Sequence, residues 1–237
     1  MDKLFKEFIE ERRYLHNLSE ATLTFYKETY RQFEQLNTFD NLSKETLRKA
    51  IIAFRERGTS IGAINAYIRG INVFLNWLHV ERNYEKLNLK SLRGEKRIMR
   101  PLSDMDLKKI VRFKPKNMSE RRLHTILLVL MDTGMRIKEA LNIKKDSLDL
   151  DNLLISVIGK GSKERVVPFS YELRKALYKY AGLNKFELLF STTDGRKLRY
   201  DNVLRDFYLL KKRLKIEPDG AFHAFRRTFA TNYIVVP

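Results

Sequence analysis

The sequence predicts a two-domain protein: an all-α bundle over residues 1–82, and a mixed, mostly helical α/β domain carrying a β-hairpin over residues 102–237. Three observations predict it. The first stretch shows only helical periodicity. A basic, apolar-poor segment at 83–101 separates it from the rest and reads as a linker. Beyond that segment helical patterns are interrupted by two short β-branched runs around a glycine-rich turn.

The bundle elements follow in order. Leu4, Phe5, Phe8 and Ile9 recur at helical spacing between charges. Ser19 is placed to cap a second helix lined by Leu23, Tyr26, Tyr30 and Phe33. A third helix begins after Ser43 with Leu47, Ile51, Ile52 and Phe54, and Ser60 caps a fourth with Ile64, Tyr67, Ile71, Phe74, Leu75 and Leu78. The spacing of Tyr26, Tyr30, Phe33, Phe74 and Trp77 marks these rings as core, not as stacking platforms. Gly62 and Gly70 interrupt the fourth helix and are read as packing glycines, the other reading being close approach to a DNA backbone. Asn83–Arg100 carries Lys86, Lys90, Arg93, Lys96, Arg97 and Arg100, and Pro101 closes it. A solvated tether is the plain reading, and contact with a phosphate backbone is the one favoured in so basic a chain.

In the second domain Ser103 caps a helix through Val111, and Ser119 opens a long one whose apolar run, Thr125–Met131, ends at Thr133-Gly134. Gly134 suits a sharp turn because it takes a positive φ without penalty. Arg136 then starts a helix expected to reach about Ile143. An arginine on such an elbow meets an anion with little entropy left to lose. Taken alone, it is equally well a surface arginine beside a cap. Leu153–Ile158 and Arg165–Pro168 read as the two strands of a hairpin, with Lys160 at its Gly159-Lys160-Gly161-Ser162 tip. A charged tip is also a common way to keep an edge soluble. Tyr171–Tyr180 reads as a helix, Leu188–Phe190 as a short strand, Asp194-Gly195 as a turn and Tyr200–Leu214 as an amphipathic helix. After Pro218-Asp219-Gly220 comes a last segment, Ala221–Ile234, in which His223 and Arg226 share a helical face.

Composition narrows the function. With 47 Lys and Arg against 29 Asp and Glu, the net charge is +18, while 43% hydrophobic residues supply real cores. Such a folded protein points to a polyanion, nucleic acid ahead of an anionic membrane. The absence of cysteine excludes disulfides and thiol chemistry and fits a reducing compartment. Met1–Arg13 is charged and amphipathic, unlike a signal peptide, and no apolar run is long enough to span a bilayer. No Walker-type loop and no zinc-like cluster is present.

Three motifs together resemble the tyrosine recombinase (phage integrase) family: Thr133-Gly-Met-Arg136-Ile-Lys-Glu139, Gly159-Lys160-Gly-Ser-Lys-Glu-Arg165 and His223-Ala-Phe-Arg226-Arg-Thr-Phe-Ala230-Thr. They stand in the family's order, and Lys160 follows Arg136 by 24 residues, room for one helix and one strand. The N-terminal helices resemble the family's core-binding domain, so the likeness covers nearly the whole chain. It implies a site-specific recombinase that cuts and rejoins double-stranded DNA through a phosphotyrosine, without metal or nucleotide cofactor. By this resemblance Arg136, Lys160, His223 and Arg226 are catalytic. Glu139 is read as a buttress. Lys90, Arg93, Lys96, Arg97, Arg100, Lys163 and Arg165 are expected to bind DNA, the two domains closing as a clamp around the duplex. The implied setting is cytoplasmic, with a tetramer on DNA for a complete family member, a monomer for this chain without DNA, and no membrane partner.

One departure stands out. The family's nucleophilic tyrosine follows the His-x-x-Arg motif by some tens of residues, and here Pro237 lies eleven positions past Arg226. Tyr233, the only tyrosine in between, is on the same helix as Arg226. The expectation is a chain lacking its nucleophile and inactive for cleavage. It is either a truncated recombinase or a DNA-binding module that competes for recombination sites. A type IB topoisomerase-like enzyme is the further alternative.

Overall fold

The computed structural model describes residues 1–94, 100–159, 163–216 and 221–235, the last stretch with side chains to Thr231. The chain divides into two compact units, Met1–Arg97 and Ile98–Pro237.

The first unit contains α1 (Asp2–Tyr14), α2 (Glu20–Glu34), α3 (Lys44–Glu56) and α4 (Ile61–Arg82). Serine hydroxyls start three of them as the sequence suggests: Ser19 accepts from Thr22 N–H, Ser60 from Ala63 N–H, and Ser43 forms a reciprocal capping box with Thr46. Asn83, at φ 55°, ends α4. The core is aromatic: Phe8, Phe33, Phe54, Phe74 and Trp77 are fully buried. Phe5 and Tyr30 stack at 3.9 Å, and Trp77 gives its indole N–H to Glu11 at 2.7 Å. Gly70 lets α2 approach, since a Cβ there would lie 2.6 Å from Thr29 Oγ1, whereas Gly62 faces open space.

After Asn83 the chain turns back along α4. His79 Nδ1 lies 2.9 Å from Tyr84 O. Asn72 exchanges two hydrogen bonds with the Leu89 backbone and Asn65 two with that of Leu92. Leu87 is buried, and Leu89 and Leu92 pack against the same core. Residues 84–94 of the expected linker thus belong to the first unit's packed structure.

The second unit has α5 (Asp104–Val111), α6 (Met118–Thr133), the single turn α7 (Ile137–Ala140), β1 (Leu148–Asp149), β2 (Leu154–Ile158), β3 (Glu164–Pro168), α8 (Tyr171–Leu183), α9 (Tyr200–Leu214) and α10 (His223–Val235). The antiparallel sheet has the order β1-β2-β3, with Ile155 opposite Val167 and Val157 opposite Arg165. Its inward face, Ile155, Val157 and Val167, joins Leu127, Leu130, Leu177, Phe190, Phe207 and Phe225 in one core. Each such side chain contributes about 1.5–3 kcal/mol by leaving water.

Four local expectations are corrected. Asn117, not Ser119, caps α6, its side chain accepting from Glu120 N–H at 2.9 Å. The helix after Arg136 stops after one turn. The backbone beyond it is taken up elsewhere: Leu189 N–H donates to Ile143 O at 2.8 Å and Lys145 N–H to Glu187 O at 2.9 Å. Leu188–Phe190 is not a strand but a single bridge to Lys144, because the Asn184 side chain takes the carbonyls of Leu188 and Leu189. Leu153 does not begin the β2 strand. At φ 59° it is the left-handed residue of the β1–β2 turn, whose other groups Asp149 ties by accepting from Asp151 and Asn152 N–H.

Candidate active site

The site is built on the elbow between α6 and α7. The apolar face of α6 is buried, and Gly134 ends it at φ 59°, donating its N–H to Leu130 O at 3.1 Å. Thr133 holds the turn from inside, donating to Val129 O and accepting from Met135 N–H. Glycine is needed at 134 twice over. The φ is left-handed, and a Cβ there would sit 2.4 Å from the Phe229 ring of α10. The elbow and the helix of the His-x-x-Arg motif are therefore in direct contact.

Arg136 follows in extended backbone as the residue before α7. Glu139, one turn on, accepts three hydrogen bonds: from Arg136 N–H at 2.8 Å, from the Arg136 guanidinium at 3.0 Å and from the Arg165 guanidinium of β3 at 2.9 Å. Its side chain is 6% exposed, against 51% for Arg136 and 44% for Arg165. Burial pushes the Glu139 carboxyl up, but the hydrogen bonds from Arg136 N–H, the Arg136 guanidinium and Arg165 outweigh it and hold the group below the ordinary glutamate range. The result is a fixed anion behind two arginine heads that face solvent. It offsets their mutual repulsion and limits their rotamers.

Arg226 comes to the same elbow from α10, donating from Nη1 to Gly134 O at 2.8 Å. One donor of five is used there, and a guanidinium so held keeps its plane while its remaining N–H groups stay available to an anion. His223, one turn earlier on α10, is exposed and makes no hydrogen bond among the described residues. Thr228 pins this helix at its centre, donating to Ala224 O at 2.9 Å and accepting from Leu102 N–H at 2.8 Å.

The structure thus gathers Arg136, Arg165 and Arg226 on residues 134–139. Lys160 lies outside the described residues, as do Lys96 and Arg97. The loop that carries Lys160 leaves from Gly159, where a Cβ would lie 3.8 Å from Glu139 Oε1, and Gly159 N–H donates to Lys163 O at 2.8 Å. Lys163 is exposed, as are Lys90, Arg93 and Arg100. Sequence reasoning named Arg165 only as a DNA contact and missed its bond to Glu139. The signal was available in the alternation of the hairpin, since Arg165 faces Val157, whose side chain points inward. It also missed a cleft of about 380 Å³ beside Glu139, lined among others by Asn142, Lys144, Ser156 and Lys197.

The chain is 26% identical over 253 residues to the tyrosine recombinase XerC of Brucella suis biovar 1, across 97% of this chain and 80% of that protein. It is 27% identical over 233 residues to the tyrosine recombinase XerA of Thermococcus kodakarensis, across 96% and 81%. Among solved structures it is similar to the Tn1549 transposon integrase in complex with circular intermediate DNA, at TM-score 0.80 and 18% identity over 98% of this chain and 86% of that one. A lambda integrase dimer bound to a COC' core site gives TM-score 0.79 at 14% identity, over 99% and 90%. At those identities the two structures speak for the fold. The model of the phage integrase family matches residues 100–235, more than half of the chain, and with that match the chain belongs to the phage integrase family, the site-specific recombinases of the tyrosine class.

Proposed function

We propose that this chain binds duplex DNA and that its elbow holds the phosphodiester that is exchanged. The observation that carries the reading is the meeting of Arg136 and Arg226 on one short turn, one buttressed by Glu139 and the other tied to Gly134 O. In-line attack on phosphorus places negative charge on the non-bridging oxygens, and two preoriented guanidiniums stabilise it. His223 is assigned to the phosphate or to the proton of the attacking hydroxyl. Lys160 is assigned to protonate the leaving 5′ oxygen as the bond to phosphorus breaks. A tyrosine hydroxyl forms the new bond. Tyr233 is not assigned that role, because it stands about two turns along the same helix as Arg226.

DNA binding is tested by salt. Neutralising about 6–10 phosphates makes affinity fall by roughly 10³–10⁵ between about 50 and 200 mM salt, and a flat response overturns the reading. Chemistry is tested with a nicked suicide substrate, which traps any covalent adduct. These 237 residues are expected to yield none. Where the reading frame continues past Pro237, the longer product is expected to yield one that Arg136→Ala and Arg226→Ala abolish. An adduct mapped to Tyr233 overturns the assignment, and no adduct from any longer product favours a DNA-binding module without cleavage.

A further inference from the structure

An asparagine side chain carries an amide like that of the backbone, so it can pair with a main-chain residue as a neighbouring strand would. Asn72 Nδ2 donates to Leu89 O at 2.9 Å, and Leu89 N–H donates back to Asn72 Oδ1 at 2.9 Å. Asn65 repeats the pair on Leu92, at 3.0 and 2.8 Å. The two asparagines stand about two turns apart on one stripe of α4. The strap they hold runs from Tyr84 to Gly94, where a Cβ would lie 2.9 Å from Ile61 Cγ2. Its leucines turn inward, while Lys86, Lys90 and Arg93 are exposed. Among the described residues none of these three cations has an ion-pair partner.

Four side-chain hydrogen bonds on a segment this basic do more than close off carbonyls. We propose that Asn65 and Asn72 are positioning residues for DNA: they hold the 84–94 strap as a preformed row of cations, so that Lys90 and Arg93 meet phosphates without ordering their own backbone. The inference rests on the reading of the chain as a DNA binder. Its physical basis is preorganisation, since a segment already fixed in its bound form loses little entropy on association. The competing possibility, that the amides only stabilise the first unit, predicts lost stability with unchanged affinity of the folded protein.

The test is a double-mutant cycle on binding to a labelled duplex, across about 50–200 mM salt. The proteins are the wild type, N65A/N72A, K90Q/R93Q and the four combined. N65A/N72A is expected to weaken binding roughly tenfold. It should also lower the salt slope toward that of K90Q/R93Q, which itself drops by about 1.8 if two phosphate contacts are lost. In the K90Q/R93Q background the asparagine substitutions should change nothing further. Unchanged affinity and slope in folded N65A/N72A overturns the proposal, as does an equal loss in both backgrounds. A wild type without salt-dependent binding instead brings down the DNA reading itself. Should N65A/N72A fail to fold, the single variants Asn65→Ala and Asn72→Ala, each of which keeps one of the two amide pairs, go through the same cycle. Each is expected to weaken binding and lower the salt slope in the wild-type background and not in K90Q/R93Q, and unchanged affinity and slope in both overturns the proposal.

Discussion

Two polar devices, one in each unit, fix backbone and cationic side chains by different physics. In the first unit Asn65 and Asn72 grip a strap through neutral amide bonds. In the second, Glu139 grips Arg136 and Arg165 through a buried charge. A neutral clamp works at any pH and tolerates salt. A charged one is stronger per bond, depends on ionisation, and is expensive to leave half made. The strap needs only to be held in place. The elbow must also offset the charge of the arginines that it orients, which an amide cannot do.

The sharpest way to break the elbow is Gly134→Ala. It combines a left-handed φ with a Cβ 2.4 Å from Phe229, so a loss of about 3–5 kcal/mol is expected in denaturant unfolding. A loss below about 1 kcal/mol would mean that neither the left-handed turn nor the contact with Phe229 constrains the elbow.

Glu139→Gln comes next. It removes the charge and leaves a donor facing two guanidiniums. Both arginine heads are about half exposed, so solvent screens part of the loss, and about 2 kcal/mol is expected. Its pH dependence separates the two devices. The folded carboxyl titrates below its ordinary value of 4.5, so its contribution is present above that pH and fades as pH falls through the lowered folded value. The difference between wild type and Glu139→Gln should therefore shrink in acid. A difference that stays constant or grows there would show the buttress to be other than electrostatic.

Asn72→Ala leaves the Leu89 N–H and C=O without partners and should cost about 1–2 kcal/mol. That cost should be the same at neutral pH as in mild acid, because nothing in the pair titrates. Gly62→Ala is the smallest change and has the opposite sign. Nothing lies within 4 Å of a Cβ there, so the gain in helix propensity should stabilise the first unit by about 0.5 kcal/mol. A loss instead would place an unseen neighbour against the start of α4.

Sequence reading was most successful where local chemistry decides. Ser19, Ser43, Ser60 and Ser103 all start helices, because a hydroxyl one residue before the first turn satisfies an N–H in any surroundings. Tyr200–Leu214 has the bounds that its apolar spacing gives. Reading was weakest where backbone groups find partners far along the chain. The turn after Arg136 looks helical to Ile143, yet residues 187–189 take that backbone. Leu188–Phe190 looks like a strand, yet Asn184 has its carbonyls. Asn83–Arg100 reads as a linker because lysines and arginines dominate it. That Leu87, Leu89 and Leu92 bury one side of residues 84–94, and that two asparagines hold them, is visible only once α4 lies alongside.

By itself the sequence determined the four helices of the first unit, three of them serine-capped, the two strands of the hairpin and the left-handed turn at Gly134. Each is set by periodicity, by a cap or by a backbone preference acting over a few residues. The tertiary structure alone decided that Glu139 joins Arg136 to Arg165, that Arg226 reaches Gly134 O, and that Asn65 and Asn72 bind a strap 17 to 27 residues away. Those contacts depend on which polar groups packing leaves buried, and such a group takes whatever partner the fold brings within about 3 Å, regardless of its distance along the chain.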